Sequence, residues 1–140
     1  MKIYMKYVFL LMVTWFSATT TISAQEVESG FDWTPVINAI MQVESRGNVN
    51  ARNGIYCGPL QISPGLVKEC NNILKRRNVS KRFSLSDRFS KEKSFDMFTI
   101  IQSYYNPSNN VERAIRMWQG GINYKVRSTQ RYYEKVMSYM

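Results

Sequence analysis

The sequence predicts a compact, mainly α-helical domain with one turn-rich insertion after its first helix. Apolar side chains recur at intervals of three and four along several segments, as they do on the buried face of a helix. Asparagine and glycine are concentrated in one short stretch, residues 48–58, where they favour turns. The chain of 140 residues is long enough for one hydrophobic core and too short for two.

Residues 1–24 have the pattern of a secretory signal peptide. Two lysines precede a short apolar run, residues 7–16, and the small residue Ala24 precedes the expected cleavage point. An uncleaved membrane anchor is the alternative, although the run is short for a membrane span. We therefore expect a protein that is secreted or located in the periplasm or cell envelope, with no membrane span after cleavage. Residues 25–32 would form a flexible lead-in and residues 33–140 the folded domain.

The first helix is predicted to begin at Thr34, a good N-cap, with Pro35 at the first helical position. An apolar stripe then runs from residue 36 to residue 43, and Gly47 can end the helix. The turn-rich insertion, residues 48–58, follows directly.

Helical patterns return after the insertion. They cover residues 60–74, with a break or restart at Pro64-Gly65 as the alternative, and residues 92–105, which end before a proline. Asn109 with Glu112 resembles a capping box and predicts another helix, closed by a pair of glycines. Thr129 is predicted to cap the last helix.

The composition excludes several classes of chemistry. The chain has no histidine, which excludes a Ser-His-Asp triad, a Cys-His dyad and a histidine-ligated metal. Its two cysteines cannot supply a four-thiolate zinc site, so we expect neither a metal nor another cofactor. Carboxylates, hydroxyls, amides and basic side chains remain for catalysis.

The formal net charge of +9 suits an anionic partner: nucleic acid, an anionic membrane surface or an anionic cell-wall polymer. The one dense basic cluster, residues 75–82, comes without a nucleic-acid-binding motif, so nucleic acid is not expected. A solvated helix face accounts for such a cluster equally well.

Glu44 breaks the local pattern of its helix. It lies on the apolar stripe and in the last helical turn, where burial and the free carbonyl groups both disfavour a negative charge. Both effects raise the pKa of a carboxyl group, as a general acid requires. The alternative is a carboxylate at the edge of the stripe, paired with Arg46 or Arg52.

The residues around Glu44 resemble the soluble lytic transglycosylase domain. In that family a Glu-Ser pair ends a helix, an Asn and an Ala follow, and a Gly-Leu-Met-Gln-Ile segment begins the next helix. A Tyr-Asn-Ala-Gly segment and a closing Thr, Tyr and Val come later. The matching residues here are Glu44-Ser45, Asn48, Asn50-Ala51, Gly54, Gly58-Pro59-Leu60-Gln61-Ile62, Ala114 to Gly121, Thr129, Tyr132 and Val136.

The chain also resembles the invertebrate-type lysozymes, through Cys57-Gly58-Pro59-x-Gln61-Ile62 followed by Cys70. Both families share the lysozyme-like α+β fold, and either resemblance implies that fold for most of residues 36–136. The match to two cysteines of the lysozyme pattern, with export to an oxidising compartment, implies a Cys57–Cys70 disulfide. Two reduced, buried thiols are the alternative.

One departure bears on mechanism. The invertebrate-type lysozymes place a catalytic Asp in the loop after the Glu helix, but residues 47–56 contain no acid, and Asn53 lies nearest to that place. Hydrolysis ordinarily uses two carboxylates. A lytic transglycosylase works with one, because the 6-hydroxyl of the substrate closes onto the anomeric carbon. Acids that the fold could supply instead are Asp32, Glu69, Asp87 and Asp96.

The resemblance implies that Glu44 is the catalytic acid. It implies substrate contacts for Ser45, Gln61, Trp118, Gln119 and Tyr132. Each has a structural alternative: Ser45 can end its helix, Gln61 can tie down a turn, and the aromatic side chains can belong to the core.

The expected function is therefore cleavage of the β-1,4 bond between N-acetylmuramic acid and N-acetylglucosamine by a lytic transglycosylase. A hydrolytic muramidase and a non-catalytic glycan-binding module are the alternatives. The expected partner is the peptidoglycan glycan strand, with an envelope secretion or conjugation machinery as a further partner, and the protein is expected to be a monomer.

Overall fold

A computed structural model describes residues 30–140. The signal peptide and most of the lead-in expected from the sequence lie outside the described residues. The elements are α1 (Thr34–Ser45), β1 (Arg52–Asn53), β2 (Tyr56–Cys57), α2 (Pro64–Arg76), a 3₁₀ helix (Leu85–Phe89), α3 (Lys91–Tyr105), α4 (Val111–Gly120) and α5 (Val126–Met137). The predicted fold class, mainly helical with a small insertion after the first helix, is confirmed. None of the helices between residues 30 and 140 has the length and apolar character to cross a membrane.

The predicted apolar stripe of α1 forms part of the core. Val36, Ile37, Ile40 and Met41 are buried. They belong to one apolar cluster to which all five helices contribute. Within this arrangement α1 packs against α4 and α5, and α2 packs against α3. The last turn of α1, which carries Glu44, therefore lies close to the two C-terminal helices.

The start of α1 differs in detail from the prediction. Thr34 is already helical, and its side chain forms no cap. Instead the Thr34 backbone N–H donates to Oδ1 of Asp32 at 2.9 Å, so Asp32 satisfies one of the free donors at this helix end. At the other end Arg46 adopts a left-handed conformation (φ 53°) and Gly47 follows with φ 81°, which ends the helix as predicted.

The insertion after α1 is a two-stranded antiparallel hairpin, in which Asn53 pairs with Tyr56. Cys57 then pairs with Ile62, which folds residues 58–62 back against the hairpin. Gly58 allows this fold. Its φ is +80°, and a Cβ there would lie 1.6 Å from the carbonyl oxygen of Arg88.

Three of the later helices begin at other residues than predicted. The helix predicted over residues 60–74 starts at Pro64, the restart given as the alternative, and the Ser63 side chain caps it. Asn110 rather than Asn109 caps α4, and Glu112 pairs with Arg116 instead of closing a capping box. The last helix begins at Val126. Thr129 is therefore internal to α5, where its hydroxyl donates to the Lys125 carbonyl, and the prediction that it caps the helix was wrong.

The structure does not support the implied Cys57–Cys70 disulfide. Both cysteines are buried free thiols, and they are not within bonding distance. Cys57 is held in β2 by its pairing with Ile62, whereas the Cys70 thiol on α2 is directed to α3, where it donates to the Met97 carbonyl at 3.6 Å. The structure thus corresponds to the alternative of two reduced thiols.

The 3₁₀ helix was not predicted from the sequence, yet it supports the hairpin. The buried Arg88 side chain donates to the carbonyl oxygens of Leu85, Ile55 and Ile62 at 2.8, 3.0 and 3.2 Å. Arg52 of β1 lies over the Phe89 ring, 4.4 Å from its centroid. These contacts fix the position of the hairpin and of residues 58–62.

Candidate active site

An open cleft of about 270 Å³ lies at the end of α1. Its walls come from the hairpin and residue 61, from the start of α2 and from the end of α4. The lining residues are Glu44, Asn53, Tyr56, Gln61, Ser63, Leu66, Trp118 and Gln119. In this lining Glu44 is the one charged side chain, so the cleft suits a ligand whose contacting part is uncharged.

Glu44 is partly buried, and burial raises the pKa of its carboxyl group above the ordinary 4.5. Two groups on α5 oppose this shift: Tyr132, through a hydrogen bond, and Lys135, through its charge. The ion pairs with Arg46 or Arg52 that the sequence left open are not formed among the described residues. Glu44 is therefore a carboxyl group whose pKa is raised by burial and which is open to the cleft.

Tyr132 is the direct partner of Glu44. Its hydroxyl donates to Oε1 of Glu44 at 2.6 Å. Burial first, and the neighbouring Glu44 second, raise the pKa of Tyr132 far above its ordinary value, so the hydroxyl stays protonated and remains a donor. The ring is buried in the apolar cluster and is not part of the cleft lining. Tyr132 is thus a hydrogen-bond partner of Glu44, and its buried ring does not offer a surface on which a sugar could stack.

Hydrogen bonds from Ser45 and Gln61 connect the end of α1, residue 51 and residues 58–61 to one another. The Ser45 hydroxyl is 2.8 Å from the Pro59 carbonyl and 3.3 Å from the Met41 carbonyl, and Ser45 does not line the cleft. Gln61 lines the cleft, and its Nε2 also donates to the carbonyl oxygens of Gly58 and Ala51 at 2.9 and 3.3 Å. Gln61 thus combines both roles considered for it, whereas Ser45 ties the end of α1 to the following segment.

Trp118 and Gln119 form the wall contributed by α4. The Trp118 ring nitrogen donates to the Leu60 carbonyl at 3.2 Å, and its ring lies 4.9 Å from the Phe98 ring. Trp118 is therefore fixed by the core on one side while it lines the cleft on the other. Gln119 is exposed and lines the same wall.

Three further residues line the cleft and were not predicted from the sequence: Tyr56, Ser63 and Leu66. The signal for Tyr56 was present: Asn53, already singled out, is followed by a Gly-Ile turn, and a two-residue hairpin turn places residue 56 opposite residue 53. Ser63 and Leu66 line the cleft because α2 starts at Pro64 rather than at residue 60.

The four acids considered as a second carboxylate all have structural partners elsewhere. Asp32 bonds the start of α1, and Asp87 accepts from the Ser84 backbone at the 3₁₀ helix. Asp96 pairs with Lys81 at 2.7 Å, and Glu69 accepts from Tyr105, Arg76 and Asn72. None of the four lines the described cleft. In the described range the structure also brings together no group of three or more side chains that could ligate a metal.

Comparisons of the chain with protein-family models, with curated proteins and with solved structures found no match.

Proposed function

We propose that this protein is an exported peptidoglycan lytic transglycosylase that cleaves the β-1,4 bond between N-acetylmuramic acid and N-acetylglucosamine. The observation that supports this most directly is the environment of Glu44. It is a partly buried carboxyl group with a raised pKa, the sole carboxylate of an open cleft, and it is hydrogen-bonded to Tyr132.

Glu44 would act as general acid and then as general base. It donates its proton to the glycosidic oxygen while the bond from the anomeric carbon to that oxygen breaks, which releases the 4-hydroxyl of N-acetylglucosamine. The 6-hydroxyl of the muramic acid then attacks the anomeric carbon, and its proton passes to the Glu44 carboxylate. The product ends in 1,6-anhydro-N-acetylmuramic acid, and no water is consumed.

The surroundings of Glu44 support both halves of this cycle. Burial favours the protonated form that donates, whereas the Tyr132 hydroxyl and the Lys135 charge favour the carboxylate that remains. A group balanced in this way can give up a proton and take it back without a second acid in the cleft.

The composition of the cleft supports a saccharide substrate. Aromatic faces at Tyr56 and Trp118 suit the apolar faces of pyranose rings. The side-chain amides of Asn53, Gln61 and Gln119 offer donors and acceptors for hydroxyl and N-acetyl groups. A neutral lining with a few convergent polar groups would bind the sugar backbone, while the charged parts of the wall polymer remain outside.

The decisive experiment is mass spectrometry of the products released from purified peptidoglycan in water labelled with heavy oxygen. The expected products are anhydro-ended, lighter by one water than hydrolytic products, and free of label. Glu44→Gln should reduce the rate by roughly 10⁴-fold or more, at or beyond the upper end of general acid–base effects. Glu92→Gln is the matched control, because Glu92 is an exposed acid on α3 outside the cleft lining.

Labelled reducing ends would show that water attacks and would replace the proposal by a hydrolytic muramidase. Glycan binding without any cleavage would replace it by a glycan-binding module. Full activity of Glu44→Gln would contradict both enzymatic functions.

A further inference from the structure

Arg116 is a buried guanidinium that joins α4 to α5. Only 3% of the residue is exposed. Its Nε donates to Oε1 of Glu112 on its own helix at 2.7 Å. Its two terminal nitrogens reach across to α5, where the acceptors are the Val126 carbonyl at 3.1 Å, Thr129 Oγ1 at 3.2 Å and Gln130 Oε1 at 2.7 Å.

Hydrogen bonds to these acceptors fix the rotation of α5 about its own axis and its position along that axis relative to α4. Residues 126, 129 and 130 lie on one face of the helix, and the Tyr133 ring on the same face lies 4.4 Å from the guanidinium carbon. A planar guanidinium presents its donors in a rigid fork, which a flexible lysine side chain cannot reproduce. Close packing reinforces the contact, because a Cβ at Gly120 would lie 2.9 Å from Thr129 Cγ2.

The helix held in this way carries both groups that oppose the raised pKa of Glu44. Tyr132 donates to Glu44 from α5, and Lys135 acts on it by its charge from the same helix. On the other helix Trp118 follows Arg116 by two positions and lines the cleft. We propose that Arg116 is a positioning residue for the catalytic acid: by locking α5 onto α4, it keeps Tyr132 within hydrogen-bonding distance of Glu44.

This proposal depends on the proposed function only because it takes Glu44 to be the catalytic acid. The groups that face Glu44 are few. Tyr132 and Lys135 come from α5, the Tyr56 hydroxyl shares the cleft from the hairpin, and the α4 wall supplies the uncharged Trp118 and Gln119. Of these groups, the two that lower the pKa of Glu44 both lie on α5, whereas burial raises it.

The test is a carboxyl-carbon NMR titration of Glu44 in the folded protein without substrate. Arg116→Lys should raise the pKa of Glu44, because the lysine cannot hold the three acceptors of α5, and a small displacement of that helix breaks the Tyr132 hydrogen bond before it exposes Glu44 to water. Tyr132→Phe should raise it as well. In the Tyr132→Phe background Arg116→Lys should add less than it does in the wild type, since part of its effect passes through the missing hydroxyl.

Arg113→Lys is the matched control. Arg113 lies on the same helix but donates to the Tyr105 carbonyl rather than to α5, so Glu44 should titrate as in the wild type. If Arg116→Lys does not fold, Gln130→Ala replaces it in the test, because it removes one acceptor of Arg116. This variant should also raise the pKa of Glu44. A folded variant with unchanged Glu44 titration, or full additivity with Tyr132→Phe, would overturn the proposal.

The titration tests the role of Arg116 and the product chemistry tests the proposed function, so either can be contradicted without the other. A shifted titration in a protein that cleaves nothing would support the role of Arg116 in placing α5 and contradict the proposed function. An unshifted titration in an active enzyme would do the reverse.

Discussion

The hydroxyl oxygen of Tyr132 lies 2.6 Å from Oε1 of Glu44, although the two residues are 88 positions apart in the chain. Glu44 comes from the first described helix and Tyr132 from the last, and packing of α1 against α5 brings them together. Because the phenol is buried, it stays protonated, and it donates to Glu44. Burial and this hydrogen bond act on the acid in opposite directions, and burial is the larger effect.

Glu44→Gln should increase the free energy of unfolding at neutral pH. Since the folded-state pKa of Glu44 is raised above 4.5, the folded protein binds this proton more tightly than the unfolded chain does. The stability from this group is fully present below the unfolded pKa and is lost as the pH rises through the folded pKa. Denaturant unfolding from acid to neutral pH should show the difference between variant and wild type growing over that window and then levelling. Glu92→Gln, which removes an acid at an exposed position, is the control, and a pH-independent difference for Glu44→Gln would contradict the burial argument.

Asn53→Asp should divert part of the reaction to water. Asn53 shares the cleft with Glu44, and a carboxylate there supplies the second acid that hydrolysis ordinarily uses. Mass spectrometry in labelled water should then detect labelled reducing ends beside the anhydro products, in a fraction that grows with pH as the new acid ionises. Asn53→Ser, which changes the side chain but keeps it polar and adds no carboxylate, should give anhydro products alone. Identical products from both variants would show that residue 53 does not reach the reacting carbon.

Gly58→Ala should destabilise the fold far more than Gly54→Ala. Both glycines have a positive φ, at which a side chain costs about 1–2 kcal/mol. A Cβ at Gly54 meets nothing within 4 Å, whereas one at Gly58 would lie 1.6 Å from the Arg88 carbonyl oxygen. Displacing that backbone should add about 1–3 kcal/mol, as overpacking of a core does. Denaturant unfolding of the two variants measures the difference, and equal losses would contradict the close approach of the 3₁₀ helix.

Both thiols should react in the denatured protein when no reductant has been added. In the folded protein Cys70 should be almost inert at neutral pH, because burial raises its pKa to about 12 and the thiolate is the reactive form. Thiol titration before and after denaturation, with a fully reduced sample as reference, measures this. Absence of thiols in the denatured, unreduced protein would restore the disulfide that the sequence resemblance implied.

The local elements were largely predictable from the sequence because they depend on short-range patterns. The stripe of α1, the turns around Gly54 and the stop of α3 before Pro107 each follow from residues near one another. Helix starts were less accurate, since Thr34 and Thr129 could equally well occupy a cap or the interior. The choice between those positions depends on partners such as Asp32 and Arg116, which only the folded chain provides.

The site was partly predictable for the same reason. Glu44 stood out as an acid on an apolar stripe, but the role of Tyr132 as its partner depends on the packing of α5. The 3₁₀ helix at Leu85–Phe89 has no periodic signal of its own, so the support that Arg88 gives to the hairpin was not predictable. Cys70 faces α3 because of how α2 is rotated, and no spacing along the chain determines that rotation.

The long sequence separation between Glu44 and Tyr132 also determines when this pair can form during folding. A chain in which α5 has not docked keeps the carboxyl group but lacks its phenol partner, whatever its local helix content. Docking of α5 therefore completes the apolar core and the Glu44–Tyr132 pair together.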